Sequence, residues 1–153
     1  MIFVLIVENL KRNKMERREI KFRGFSADSN KWIYGYLNRP FDDITQIIEK
    51  IPSNASQMSL VVNGSEGQFT GLFDKNGKEI YEGDIFSYIH NESCWECNFI
   101  GDVVWIKSES SFGMRTDKNC DTFTSDSDIQ KKILNYLEVI GNIYENSNLL
   151  KNE

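Results

Sequence analysis

The chain has 153 residues, of which 40% are hydrophobic and 27% charged, with a formal net charge of −5 and three cysteines. That length supports a core without metal or disulfide help, and the composition is that of an ordinary soluble globular protein. The acidic balance argues against binding a nucleic-acid backbone over the whole surface, and an odd cysteine number argues against a disulfide framework, so the thiols read as reduced in a cytosolic protein.

The charge is unevenly placed. Residues 11–23, "KRNKMERREIKFR", hold seven Lys/Arg against two Glu, a local +5, so the remainder carries −10. Before them, "MIFVLIVENL" has an apolar run over residues 2–7 that is far short of the roughly 20 residues a bilayer span needs. Nothing basic precedes that run and no small-residue cleavage site follows, which is the reverse of an export signal. Residues 1–14 read as upstream sequence translated from an early start codon, or as a disordered extension, with Met15 the expected start. Lys11-Arg12-Asn13-Lys14 is what a purine-rich, ribosome-binding-site-like string would encode.

In "EIKFRGF" (19–25), Ile20 and Phe22 alternate with Lys21 and Arg23, the period-two pattern of a half-buried strand with both cations on its solvent face. "SADSN" is turn-forming, and "KWIYGYL" (31–37) places Trp32, Tyr34 and Tyr36 on one face of a second strand, giving a hairpin. Over 42–51, "DDITQIIEKI", Ile44, Ile47, Ile48 and Ile51 fall at helical spacing. Asp42 or Asp43 can cap the start and Pro52 follows the end, which predicts a short helix.

After a loop at 53–57, strands are predicted at "MSLVV", 68–73, 78–82, 84–90, 98–107 and 111–116. A polar segment (117–127) and a turn or two of helix in "DIQKKIL" precede a last strand at 136–144 and a terminal turn in "ENSNLL". Seven or eight short antiparallel strands with one or two short helices make an all-β small barrel or sandwich. The connections are too short for the crossover helices of a parallel α/β sheet.

The stretch "FTGLFDKNGKEIYEGDIF" (69–86) offers two hairpin registers. A two-residue Asn76-Gly77 loop would set Lys75 against Lys78 and Asp74 against Glu79, like charge against like. A three-residue loop with Gly77 left-handed sets Asp74 against Lys78 and Leu72 against Ile80, and is the expected register. The acidic residues here then have turn and cross-strand duties, and a catalytic carboxylate pair is not expected among them.

Two constellations compete with plain structural readings. His90, Cys94, Cys97 and Cys120 supply four soft ligands in H-x3-C-x2-C…C order, which suits tetrahedral zinc. A fold of this size does not need metal, so a cysteine-bearing hairpin loop is the preferred reading and no cofactor is expected. Arg17, Arg18, Lys21 and Arg23, beside Trp32, Tyr34 and Tyr36, could contact a nucleic acid by phosphate pairing and stacking. The competing reading makes the aromatics core and the cations ordinary solvated surface. His90 is the single histidine, with neither a nucleophile elbow nor a glycine-rich phosphate loop, so catalysis is not expected.

Three segments, "REIKFRGFSADSNKWIYGYL" (18–37), "GQFTGLFDKNGKEIYEGDIF" (67–86) and "EVIGNIYENSNLL" (138–150), resemble the YopX family, small proteins of phages and prophages of low-GC Gram-positive bacteria. Members begin close to the "REIKFRG" motif, in keeping with Met15 as the start and a single domain over 15–150. The resemblance implies an all-β, barrel-like fold and carries over no catalytic residues. The chain departs from the pattern at Ser147, where proline is common after "YEN", and in the Cys-bearing loop. The expectation is a phage-encoded accessory protein of the host bacterial cytoplasm, not membrane-bound, binding a protein partner or another copy of itself. Nucleic-acid contact and a zinc site are the alternatives.

Overall fold

A computed structural model describes residues 19–50, 55–89, 98–116, 120–122 and 133–150. The predicted N-terminal extension and the 15–18 start lie outside them. The described residues form eleven strands and a closing 3-10 turn, Ser147–Leu150, so the all-β expectation holds with more strands than anticipated.

The first sheet contains β1 (Phe22–Ser26), β2 (Lys31–Phe41), β3 (Ile44–Lys50), β4 (Ser56–Val61), β5 (Gly67–Phe73) and β6 (Glu79–Tyr81), in the order β4-β3-β2-β1-β5-β6. The second contains β7 (Asp84–Ile89), β8 (Asn98–Ile106), β9 (Ser111–Arg115), β10 (Cys120–Thr122) and β11 (Leu137–Asn142), in the order β10-β9-β8-β7-β11. Every pairing is antiparallel.

The helix expected over 42–51 is a strand. β3 pairs with β2 through Tyr36↔Ile48 and with β4 through Ile48↔Met58. Adjacent Ile47 and Ile48 point to opposite faces, and Ile47 is fully buried. Isoleucine is stiff at χ1 and packs well on a pleated surface, so a short run such as β3 gains more from two strand neighbours than from an isolated turn or two of helix.

Strands β1 to β4 curl on themselves. Val62 N–H donates to the Phe25 carbonyl at 2.8 Å, bringing the end of β4 to the end of β1. The approach is close: a Cβ on Gly24 would stand 2.8 Å from the Val61 side chain. A hydrophobic core lies against the second sheet, where Ile80, Phe86, Val103, Met114, Leu137 and Val139 pack together.

The β5–β6 hairpin adopts the three-residue register. Asp74 N–H donates to the Lys78 carbonyl at 2.8 Å, Gly77 N–H donates to the Asp74 carbonyl at 2.9 Å, and Gly77 has φ of 77°. Phe73 pairs with Glu79, but the ladder slips before Phe69 pairs with Tyr81, with Gly71 left-handed at the bulge. The Leu72–Ile80 pairing expected from a regular ladder is therefore absent from the register. Asp74 is buried and turns its carboxylate toward backbone N–H groups instead of the Lys78 ammonium.

Candidate functional site

Arg23 on β1 is 7% exposed, which corrects the expectation that Lys21 and Arg23 share a solvent face. The strand begins at Phe22 with adjacent Arg23 and Gly24 both buried, so burial does not follow a clean alternation, and Ile20 lies exposed before it. Arg23 Nη1 donates to Asp84 Oδ1 at 2.5 Å, and Asp84 Oδ2 accepts Tyr81 N–H at 2.7 Å. The guanidinium lies 4.8 Å from the Trp32 ring centroid and 5.1 Å from that of Tyr81, an arrangement that favours a delocalised cation. Burial pushes the Asp84 carboxyl above its ordinary range, against the opposing pull of Arg23 and of the Tyr81 N–H.

Lys21 is tied down as well. Its ammonium sits 4.7 Å from the Phe69 ring centroid, is hydrogen-bonded to Glu79, and lies 3.5 Å from Glu19. Glu79 also accepts the Tyr81 hydroxyl at 2.7 Å. Burial acts to raise the Glu79 carboxyl, but the bonds from Lys21 and Tyr81 and the Lys21 charge outweigh it and hold it below 4.5. Burial works against the Lys21 ammonium, yet its two glutamates leave it raised.

Between the sheets lies a cleft of about 230 Å³, lined by Arg23, Trp32, Glu82, Asp102, Arg115 and Tyr144 among others. Apart from Glu82, its charges are engaged within the fold. Arg115 grips Asp102 with Nε at 2.9 Å and Nη2 at 2.5 Å, while Glu66, also on the wall, bonds Arg39 and the Gly64 N–H. Such pairs fasten elements together and leave the Asp102 and Glu66 carboxylates committed to partners within the fold.

A different surface is open. Tyr36 on β2, Ile48 on β3 and Met58 on β4 stand in one cross-strand row, and alternation along the strands puts Tyr34 and Leu60 on the same face. Tyr34, Tyr36, Met58 and Leu60 are exposed at 49%, 55%, 56% and 55%. The sequence correctly grouped Trp32, Tyr34 and Tyr36, but the core reading fails for the two tyrosines because the face is covered only near β1. There, Trp32 packs on Phe25 and Tyr144 and donates to Glu145 at 2.9 Å. The signal available for the row was Met58 and Leu60 alternating in "QMSLV", out of phase with buried Val61.

Arg17, Arg18, His90, Cys94 and Cys97 lie outside the described residues, and Cys120 is described only as backbone, opposite Arg115 on β9. Among the described residues no cluster of three His, Cys, Asp or Glu side chains could hold a metal ion. No helix among them is long and apolar enough to cross a membrane.

Residues 21–151 match the sequence profile of the family described as YopX protein. The chain belongs to the YopX family. In this YopX chain the match runs from just before β1 to just past the 3-10 turn, so it takes in both sheets, the Arg23–Asp84 pair and the open face. No curated protein matches the YopX chain. The crystal structure of protein EF1440 from Enterococcus faecalis is similar, with a TM-score of 0.52 and 24% identity, covering 88% of this chain and 100% of that one. At that identity the likeness speaks to the small all-β fold.

Proposed function

We propose that this YopX protein is a non-catalytic binding module, a phage- or prophage-encoded accessory protein of the bacterial cytoplasm that docks a protein through the β2–β3–β4 face. The observation that carries the reading is the row Tyr36–Ile48–Met58, with Tyr36 and Met58 exposed and Ile48 half-buried, and exposed Tyr34 and Leu60 beside it. Contiguous apolar and aromatic surface of this kind marks interaction sites, and tyrosine and methionine are enriched at the centres of interfaces. The buried charged groups, by contrast, are occupied in holding the fold. Nucleic-acid contact through Arg17, Arg18, Lys21 and Arg23 has less support, because the two described cations of that set are both bound to carboxylates.

The test is affinity capture with the wild type and with Tyr36→Ser/Leu60→Ser. Partners that depend on this face are lost from the double variant while its circular dichroism stays that of the wild type. A partner set unchanged by the double variant, with the fold intact, removes the face from the interaction.

A further inference from the structure

A strand at the border of a sheet presents outward N–H and C=O groups without partners, and folds normally guard such borders with short strands, bulges or charges. Three of the four borders here are guarded in that way. β6 and β10 are three residues long. β11 is broken by a register shift between Val139 and Gly141 and carries Glu138.

β4 is different. Its register against β3 runs without a break from Thr45↔Val61 to Lys50↔Ser56, and "SQMSLV" contains no charge, no proline and no glycine. The Val62–Phe25 hydrogen bond closes the end of the strand onto β1. The open length is therefore the outer edge of Ser56–Leu60, of which all but Ser59 are exposed, and no strand other than β3 among the described residues pairs with it.

We propose that β4 pairs antiparallel with β4 of a second copy, about a two-fold axis through Met58, joining two six-stranded sheets edge to edge. The inference rests on the binding reading above, since it uses the border of the same face. A perpendicular two-fold keeps like faces on like sides and sets Met58 opposite Met58, with Ser56 opposite Leu60 of the second copy. The centre follows from the open length, because Met58 is its middle residue.

The absence of charge selects a second copy over an unrelated strand. In a symmetric pairing about Met58 a charge at that position would meet its own like, and one at Gln57 or Ser59 would lie two positions from it, which is destabilising. A foreign partner could carry the complement and imposes no such restriction. The pairing also continues the row Tyr36–Ile48–Met58 directly into its symmetry mate, so the exposed apolar side chains of both copies form one uninterrupted band.

Sedimentation velocity on the full chain, from micromolar to hundred-micromolar concentration, reads the association directly. The expected result is a concentration-dependent doubling of mass. Met58→Lys alone and Met58→Glu alone should each remain single, and an equimolar mixture should regain the doubled species, because lysine then faces glutamate. Amide hydrogen exchange on the unaltered protein serves as the second measurement, with Ser56–Leu60 protected at high concentration and unprotected at low. A wild type of single mass throughout the range overturns the pairing, as does doubling that survives both charge variants or fails to return in the mixture. A single-mass wild type whose protein partner is still lost with Tyr36→Ser/Leu60→Ser overturns self-pairing alone and leaves the binding module standing. A strand supplied by another protein would show as Ser56–Leu60 protection only when that protein is added, which also overturns the self-pairing.

Discussion

The Asp74 carboxylate accepts three backbone N–H groups: Asn76 at 2.8 Å and Lys78 at 2.9 Å within its own turn, and Val139 of β11 at 3.0 Å. It shapes the hairpin and docks it on the second sheet with one side chain. Asp74→Ala should lower unfolding free energy by about 3 kcal/mol, since buried donors left unmatched cost roughly 1–3 kcal/mol each and part of the turn can turn to water. Urea denaturation measures it, and a loss within error of zero would mean the three bonds are replaced. Arg23 and Asp84 carry a different risk. Removing one partner of a buried ion pair costs about 3–5 kcal/mol because the other charge stays behind, whereas replacing both with apolar groups is often tolerated. Arg23→Met should therefore be more damaging than Arg23→Met combined with Asp84→Leu, an ordering that thermal unfolding of the two variants checks.

At the level of the element, Gly77→Ala in the β5–β6 loop puts a Cβ at a φ of 77° and should cost about 1 kcal/mol, read as a shifted denaturation midpoint with an unchanged slope. This turn was legible in the sequence because local charge repulsion excluded the competing register. The hairpin of β1 and β2 was legible for the same kind of reason, a short turn between two alternating runs. The segment 42–51 was not, because four isoleucines at helical spacing also suit a strand once neighbours exist on both sides. Faces were harder than elements. Alternation told that Trp32, Tyr34 and Tyr36 share a side, and that Lys21 and Arg23 do. It could not tell which side is covered, since the cover comes from Tyr81 and Phe69, dozens of residues away. The open face of β2–β3–β4 stayed hidden from the sequence for that reason, and the zinc candidate around His90 falls mostly outside the described residues.

Across the whole molecule, the β5–β6 hairpin and the turn after it join the two sheets. Lys75 N–H donates to the Leu137 carbonyl at 2.9 Å, Gly83 N–H to that of Val103 at 2.8 Å, and Ile143 N–H to that of Gly83 at 2.9 Å. The side chains beside these junctions respond to pH, and the signs can be worked out. Glu79 is held below its ordinary 4.5 by the causes described above. Glu145 is held below it by hydrogen bonds from Asn142 and Trp32. A carboxylate with a lowered folded-state pKa contributes stability that is present above 4.5 and is lost as pH falls through the folded value. Lys21 is raised above 10.5, and its contribution persists below that value and disappears as pH rises through the folded one. Tyr81 is raised far above 10.0, by burial first and then by Glu79, and adds to the alkaline loss. For these groups stability should be flat around neutrality and fall on both sides, with the raised Asp84 carboxyl working the other way on the acid side. Glu79→Gln isolates one contribution: at neutral pH it should be less stable than the wild type by about 1 kcal/mol or less, the pair being partly solvated. That gap should close as pH falls through the lowered folded-state value, where the wild-type carboxylate takes up its proton. Paired urea titrations across that range measure the gap, and one that stays constant down to the acid end would assign the Glu79 contribution to packing instead of charge.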